Sequence, residues 1–281
     1  MSAISITSRY AKINSLVKMT RPQNMRFTVA VYIVSGAVFG LSTIAIILGS
    51  LIYFLLYGLA TIINNIRDVE VDKLNKTNNP LAKGNVSIQE VKVLFSIYLL
   101  GLIIIQLLLP QPETLIFALT LLFFSLIYSW KVTDIQSRGL IATILLSLMY
   151  SGSPVLLAGI YSGYFPLFQA CVLGLLTTAG LLAKDYKDIK GDKLHGKLTP
   201  LVRYGEKTVR TIAYTVGIIA LIFVFYSNSM NLAVYITLST FYLSSAYWLH
   251  KNKAHNNLIK ILHQTSVVFL VVFYLQGEFL K

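Results

Sequence analysis

The stretch NNIRDVEVDKLNKTNNP, residues 64–80, breaks into one of the most apolar parts of the chain with acidic and amide side chains spaced for a helix. Asn64, Asp68 and Asp72 recur every four residues, so they share one helical face a turn apart. They also stand where a long hydrophobic run ends. A site at the end of a buried helix is therefore the first question the sequence poses, and the composition decides what surrounds it.

Of 281 residues, 56% are hydrophobic and only 12% charged, about half the charged fraction of an ordinary soluble domain at roughly 25%, and the mean hydropathy is +0.69. The apolar runs fall at about 27–40, 43–63, 91–109, 113–130, 139–160, 164–183, 209–227, 230–249 and 258–276. Most approach the ~20 residues that a bilayer-spanning helix needs. They lack the alternation of barrel strands. The fold expected is all-α, a multi-pass membrane protein of about nine transmembrane helices forming one membrane domain over 1–281, with 1–26 as a cytoplasmic or interfacial segment.

Charge placement tests that count, because cytoplasmic loops collect Lys and Arg. The N-terminal segment and the loops after the second, fourth, sixth and eighth runs are basic, and of 24 basic residues only Lys281 falls on the other side. The N-terminus and the motif-bearing loops are thus expected in the cytoplasm. The net charge of +13 reads as orientation and attraction to lipid headgroups or phosphates, with no nucleic acid as partner. The 26 mixed residues that open the chain carry no short apolar core with a small-residue cleavage site, so no cleaved signal peptide is expected. Cys171 is the only cysteine, which excludes an intrachain disulfide.

A shift of 120 residues places residues 64–83, NNIRDVEVDKLNKTNNPLAK, over residues 184–203, KDYKDIKGDKLHGKLTPLVR. Asp68 and Asp188, Asp72 and Asp192, Lys73 and Lys193, and Pro80 and Pro200 coincide without a gap. Each copy closes an apolar helix and opens a basic loop, so two parallel repeats with acidic helix ends on one membrane face are expected. For an isolated D-x-x-x-D, a solvated helix face is the ordinary reading; two copies at equal spacing, both at helix ends, reverse it. Crowded carboxylates repel unless divalent cations join them, and Mg2+ takes one or two carboxylates while leaving positions for water and phosphate. Lys83, Lys184, Lys187, Arg138 and Arg203 would neutralise a diphosphate bridged by the metal. Tyr57 and Tyr128 are candidates to face the apolar tail or a cationic intermediate, although packing is the commoner role for such rings. Glu70, Glu90, Asp134 and Glu206 read as solvated acids, and the four histidines show no ligand spacing.

Together these residues resemble the UbiA-type intramembrane polyprenyltransferases. NNIRDVEVD and KDYKDIKGD stand where that family carries its N-D-x-x-D-x-x-x-D and D-x-x-x-D motifs, after the second and sixth helices. TRPQN (20–24) is similar to the opening R-P-x-N, NNPLAKGNVS (79 onward from the second Asn, with Asn78 before it) to the N-R-P-x-x-x-G-x-x-S loop, and YSWK (128–131) to a Tyr-Ser segment after the fourth helix. The resemblance implies that Asn64, Asp68, Asp72, Asp185, Asp188 and Asp192 hold Mg2+ on a polyprenyl diphosphate. It adds Arg21, Asn24, Lys131 and Lys184 on the phosphate side and Tyr128 near the acceptor.

The implied reaction is ionisation of an allylic diphosphate and capture of the carbocation by a lipophilic or aromatic acceptor: an aromatic ring, a lipid glycerol phosphate or a tetrapyrrole. Cyclisation of a terpene on the same site, and transport of a phosphorylated substrate, are the alternatives. Two departures stand out. Asn65 replaces the usual acid; an amide can ligate metal or donate to phosphate, so activity is expected to survive the change. GKLTPLVRYG lacks the G-x-K-S-T pattern of the 4-hydroxybenzoate branch, which argues against an acceptor of the bacterial ubiquinone type.

Overall fold

The structure is a computed structural model that describes residues 3–74, 77–109, 112–130, 132–194, 196–227, 231–253 and 256–279. In chain order its helices are α1 (Ala3–Met19), α2 (Pro22–Val38), α3 (Thr43–Arg67), α4 (Val69–Leu74), α5 (Ile88–Leu108), α6 (Pro112–Ser129), α7 (Leu140–Ser147), α8 (Ser153–Tyr161), α9 (Leu167–Leu181), α10 (Ile189–Leu194), α11 (Pro200–Ser227), α12 (Leu232–Lys251) and α13 (Asn257–Phe279). Short 3-10 turns occupy Ile135–Ser137 and Lys184–Lys187, and a π turn, Leu148–Gly152, joins α7 to α8. No strand occurs among the described residues.

Among those residues, eight helices are long and apolar enough to cross a membrane: Thr43–Arg67, Ile88–Leu108, Pro112–Ser129, Leu140–Tyr161, Leu167–Tyr186, Pro200–Tyr226, Leu232–Lys251 and Asn257–Gly277. They coincide with eight of the nine apolar runs. The remaining run, 27–40, lies largely in α2, whose 17 residues reach only about 26 Å at 1.5 Å per residue, short of a hydrocarbon core of ~30 Å. Its C-terminus closes in a Schellman arrangement. Leu41 N–H donates to Gly36 O at 2.9 Å and Gly40 N–H to Ala37 O at 3.2 Å, with Gly40 at φ 70° supplying the left-handed residue that this stop requires.

Helix starts follow local chemistry. At α5, Ser87 Oγ accepts from Glu90 N–H and Glu90 Oε2 accepts from Ser87 N–H, a capping box written as S-I-Q-E. Pro22, Pro112 and Pro200 open α2, α6 and α11, where the missing proline donor costs nothing.

The chain forms two compact units. The first comprises Met1–Arg26 and Ser50–Ile135, the second Phe27–Gly49 and Gln136–Lys281. In the first, Met19, Ile62, Val86 and Val91 are buried together, with Leu16, Ile66, Leu81, Leu94 and Phe95 packed on them. This cluster ties α1, the end of α3, the following loop and the start of α5 to one another. The N-terminal segment, expected only as cytoplasmic or interfacial, is thus a helix whose Leu16 and Met19 belong to the core beside residues 64–72.

In the second unit α9 packs against α7, the π turn, α11 and α13. Small residues permit the approach: a Cβ on Gly152 would lie 2.9 Å from Ala170 O, and one on Gly174 2.6 Å from a Leu148 methyl. Hydroxyls cross the same seam, Thr177 Oγ1 donating to Ser151 Oγ at 2.7 Å and Thr178 Oγ1 to Ser147 Oγ at 2.8 Å. Without a hydrophobic force between helices in lipid, close packing and such bonds hold the pair, the bonds at about 0.6 kcal/mol each. Pro154, just beyond the π turn, has no N–H for the helical ladder, and the wider turn accommodates that gap.

Candidate active site

In the first unit the helical ladder runs unbroken through the motif. Asp68 N–H donates to Asn64 O at 2.9 Å and Asp72 N–H to Asp68 O at 2.8 Å, which keeps Asn64, Asp68 and Asp72 on one face across the junction of α3 and α4. Asp68 and Asp72 are each only 9% exposed. A carboxylate so far withdrawn from water needs partners. Asp72 Oδ2 accepts from Asn79 Nδ2 at 2.7 Å, and the same amide nitrogen donates to Asn65 O at 2.9 Å. Asn79 Oδ1 in turn accepts from Leu81 N–H at 3.0 Å, so one side chain fastens the loop to the motif helix. Beside Asp68, Arg67 Nε stands 4.0 Å from its Oδ1 while Arg67 Nη2 donates to Asp134.

Asn65 is held by two hydrogen bonds within the first unit. It is 1% exposed, its Nδ2 donates to Met19 O at 2.8 Å, and its Oδ1 accepts from Arg21 Nη2. The amide fastens the R-P-x-N segment to α3. A carboxylate in its place has no proton to give Met19.

In the second unit the 3-10 turn Lys184–Lys187 leads into α10. Asp188 N–H donates to Asp185 O at 3.1 Å and Asp192 N–H to Asp188 O at 2.9 Å. Asp185 and Asp188 are half-buried, Asp192 is 3% exposed, and Lys184 Nζ stands 4.0 Å from Asp185 Oδ1. Burial pushes the Asp192 carboxyl up to about 7; Lys197 opposes the rise, and the neighbouring Asp185 and Asp188 add to it. Such a cluster gains from a divalent cation.

The same backbone bonds recur 120 residues apart. Thr77 N–H donates to Asp72 O and Lys197 N–H to Asp192 O, at 3.0 and 2.8 Å; Lys83 N–H donates to Asn79 O and Arg203 N–H to Thr199 O, at 3.1 and 2.9 Å. Helices α4 and α10 keep the same offset.

The other expected residues are distributed as follows. Tyr57 is buried in α3, two turns before Asn64 on the same face, and Tyr128 is half-buried in the last turn of α6. Lys83 is exposed and donates to Asn78 Oδ1 at 2.8 Å. Asn24 and Arg138 are exposed. Lys131 lies outside the described residues, as does the Lys187 side chain. The first motif belongs to the first unit and the second motif to the second. Among the described residues no three His, Cys, Asp or Glu side chains form a group able to hold a metal ion. The donor set still suits Mg2+, because each motif presents carboxylates along one helix edge and that ion takes one or two, completing its shell with water and phosphate.

All four acids that read as solvated have defined partners, Glu70 accepting from Lys73 at 2.8 Å on the exposed face of α4. Asp134 receives Arg67, Glu90 caps α5 and pairs with Lys12, and Glu206 lies 3.0 Å from Arg210 and 3.1 Å from Lys253. Asn79 was not singled out as a site residue. Its position before Pro80 in the loop resembling N-R-P was the available signal, but pairing with Asp72 across a loop follows no helical period.

The sequence profile of the UbiA prenyltransferase family matches residues 25–271. A digeranylgeranylglyceryl phosphate synthase from Methanobrevibacter smithii is 24% identical over 278 residues, covering 93% of this chain and 97% of that protein. One from Methanococcus aeolicus is 29% identical over 166 residues, an alignment that spans 58% of this chain and 57% of the relative. A solved structure of a UbiA homologue from Archaeoglobus fulgidus bound to GPP and Mg2+ superposes with a TM-score of 0.66 at 16% identity, over 94% of this chain and 99% of that one. The fold is that of an all-helical membrane prenyltransferase. The chain belongs to the UbiA prenyltransferase family.

Proposed function

We propose that the chain transfers a geranylgeranyl group from its allylic diphosphate to the free hydroxyl of a glyceryl phosphate lipid that already carries one such group, in a Mg2+-dependent reaction. The observation that carries the reaction class is the pair of aspartate segments with matching backbone bonds. The acceptor follows from the M. smithii relative, whose named product is a glyceryl phosphate bearing two geranylgeranyl groups. The missing G-x-K-S-T pattern points the same way.

In this reading Asp68 and Asp72, with Asn64, and Asp188 and Asp192, with Asp185, are the residues that hold Mg2+. The ion when bound neutralises negative charge on the diphosphate oxygens. Lys83, Arg138, Lys184, Arg21, Asn24 and Lys131 contribute cations and donors for the rest of that charge, an electrostatic effect that grows where water is excluded. As the C1–O bond breaks, its electron pair leaves on the diphosphate and the allylic cation is captured by the acceptor oxygen, whose proton is released. The apolar helices, with Tyr57 and Tyr128 facing the prenyl tail, keep water from competing for the cation. The two units act as one domain, with the N-terminus and both motif loops in the cytoplasm.

The test is product identification. Purified protein in detergent is given geranylgeranyl diphosphate and Mg2+ with a geranylgeranylglyceryl phosphate lipid, with 4-hydroxybenzoate, or with no acceptor. Mass spectrometry should find a doubly alkylated glyceryl phosphate in the first sample alone. Prenylated benzoate, or a cyclised hydrocarbon without acceptor, would replace this reading with another.

A further inference from the structure

The second aspartate segment has a feature that its metal-binding role does not require. In a 3-10 turn, residues three apart eclipse one another, so Asp185 and Asp188 lie along one edge of the turn Lys184–Lys187. Tyr186 lies about a third of a turn away, on another side. It is 6% exposed, while the aspartates that flank it remain partly open.

The Tyr186 hydroxyl meets His250, a fully buried residue in the last turn of α12, and the Arg210 side chain also hydrogen-bonds to that hydroxyl. Tyr186 Oη and His250 Nδ1 are 3.3 Å apart, and His250 Nε2 is 2.9 Å from Ala179 O. A carbonyl can only accept, so Nε2 carries the proton; in the neutral ring Nδ1 then accepts, and the tyrosine hydroxyl donates. Ala179 is among the last residues of α9, whose terminal carbonyls lack helical partners. The tightened end of that helix sends Ala183 N–H to Gly180 O instead. One imidazole thus satisfies the end of α9 and secures the turn that follows it. The ring is walled edge-on by Tyr186 and by Tyr214, with centroids at 5.9 Å in both cases.

We propose that Tyr186 and His250 are positioning residues for prenyl transfer, a buckle between α9, α12 and the 3-10 turn that holds Asp185 and Asp188 on the edge where the diphosphate-bound cation is taken. The inference rests on the reading of these aspartates as metal ligands. Partners of metal ligands commonly matter to affinity without touching the metal.

Tyr186→Phe removes one hydroxyl and leaves the ring. Tyr214→Phe removes a hydroxyl that has no hydrogen-bond partner from the other ring packed against this imidazole, and so reports purely structural effects. Mn2+ serves as the probe, its free concentration followed by electron paramagnetic resonance with purified protein in detergent. Backbone hydrogen exchange over residues 184–192 is measured in parallel. Tyr186→Phe should weaken Mn2+ binding roughly ten-fold, the lower end for an outer partner of a metal ligand, and quicken exchange over the turn. Tyr214→Phe should do neither, and adding His250→Phe to Tyr186→Phe should give much less than a second ten-fold loss. Wild-type Mn2+ affinity in Tyr186→Phe overturns the buckle. Asp188→Ala separates the two readings: if it abolishes binding while Tyr186→Phe binds Mn2+ as tightly as wild type, the buckle alone fails, and if Asp188→Ala too binds normally, the aspartate site fails with it.

Discussion

Asn79 and Asp72, seven residues apart across a loop, meet at 2.7 Å through the amide nitrogen of one and a carboxylate oxygen of the other. The carboxylate retains a second oxygen, and its orientation is set by a neutral donor that leaves its charge in place. Asn79 therefore orients a carboxylate proposed to hold Mg2+ without competing with the metal for its charge.

Removing that donor should be costly in two ways. Asn79→Ala leaves Asn65 O and one oxygen of Asp72 without their partner, at about 1–3 kcal/mol of stability, and frees the Asp72 rotamer. The Mg2+ concentration for half-maximal activity should rise roughly ten-fold. Asn79→Asp sets a like charge against Asp72 and should be worse than the alanine variant in both melting temperature and kcat/KM.

Restoring an acid at position 65 should bring no gain in metal affinity. The side chain there is spent on Met19 O and Arg21, and a carboxylate loses the first bond while neutralising Arg21. Isothermal titration of Asn65→Asp with Mg2+ should show affinity no better than wild type, with a lower melting temperature. Tighter binding would mean that residue 65 reaches the metal.

The raised Asp192 carboxyl sets a pH dependence with a definite sign. Folded protein without metal holds this proton more tightly than unfolded chain, so the contribution is fully present below the ordinary aspartate range and is lost as pH rises toward about 7,. Metal-free protein should therefore lose thermal stability across that interval, and Asp192→Asn should flatten the profile. Because proton and metal compete for one carboxylate, Mg2+ affinity should increase with pH through the same region.

Glycine substitutions separate tight seams from open ones. Gly152→Ala forces a methyl against Ala170 O at 2.9 Å and should cost about 1–3 kcal/mol. At Gly101 a Cβ meets only Leu55 methyl groups at 3.4 Å or more, so Gly101→Ala should be neutral or gain up to about 1 kcal/mol from helix propensity. Thermal unfolding in one detergent compares the two directly.

The spans were legible because a lipid-facing helix must be apolar along its length, and eight runs became helices at nearly the expected residues. The motif face was legible because Asn64, Asp68 and Asp72 keep helical spacing through the α3–α4 junction. Helix α1 was not, since Leu16 and Met19 stand among charged and polar residues and only their packing reveals their role. The π turn at Leu148–Gly152 is hidden inside uninterrupted hydrophobicity, marked only by Pro154. Asn79 with Asp72 and Tyr186 with His250 are partnerships set by tertiary structure, which no local period encodes.

The most direct test of the account is diphosphate release and product formation with geranylgeranyl diphosphate, Mg2+ and the glyceryl phosphate lipid, comparing wild type with the near-isosteric Asp68→Asn and Asp188→Asn. If both segments are needed for ionisation of the diphosphate, either variant alone should lose 100-fold or more in kcat/KM, of the order found when a single stabilising donor is removed from developing charge. A variant of either aspartate that forms product at the wild-type rate would contradict the account.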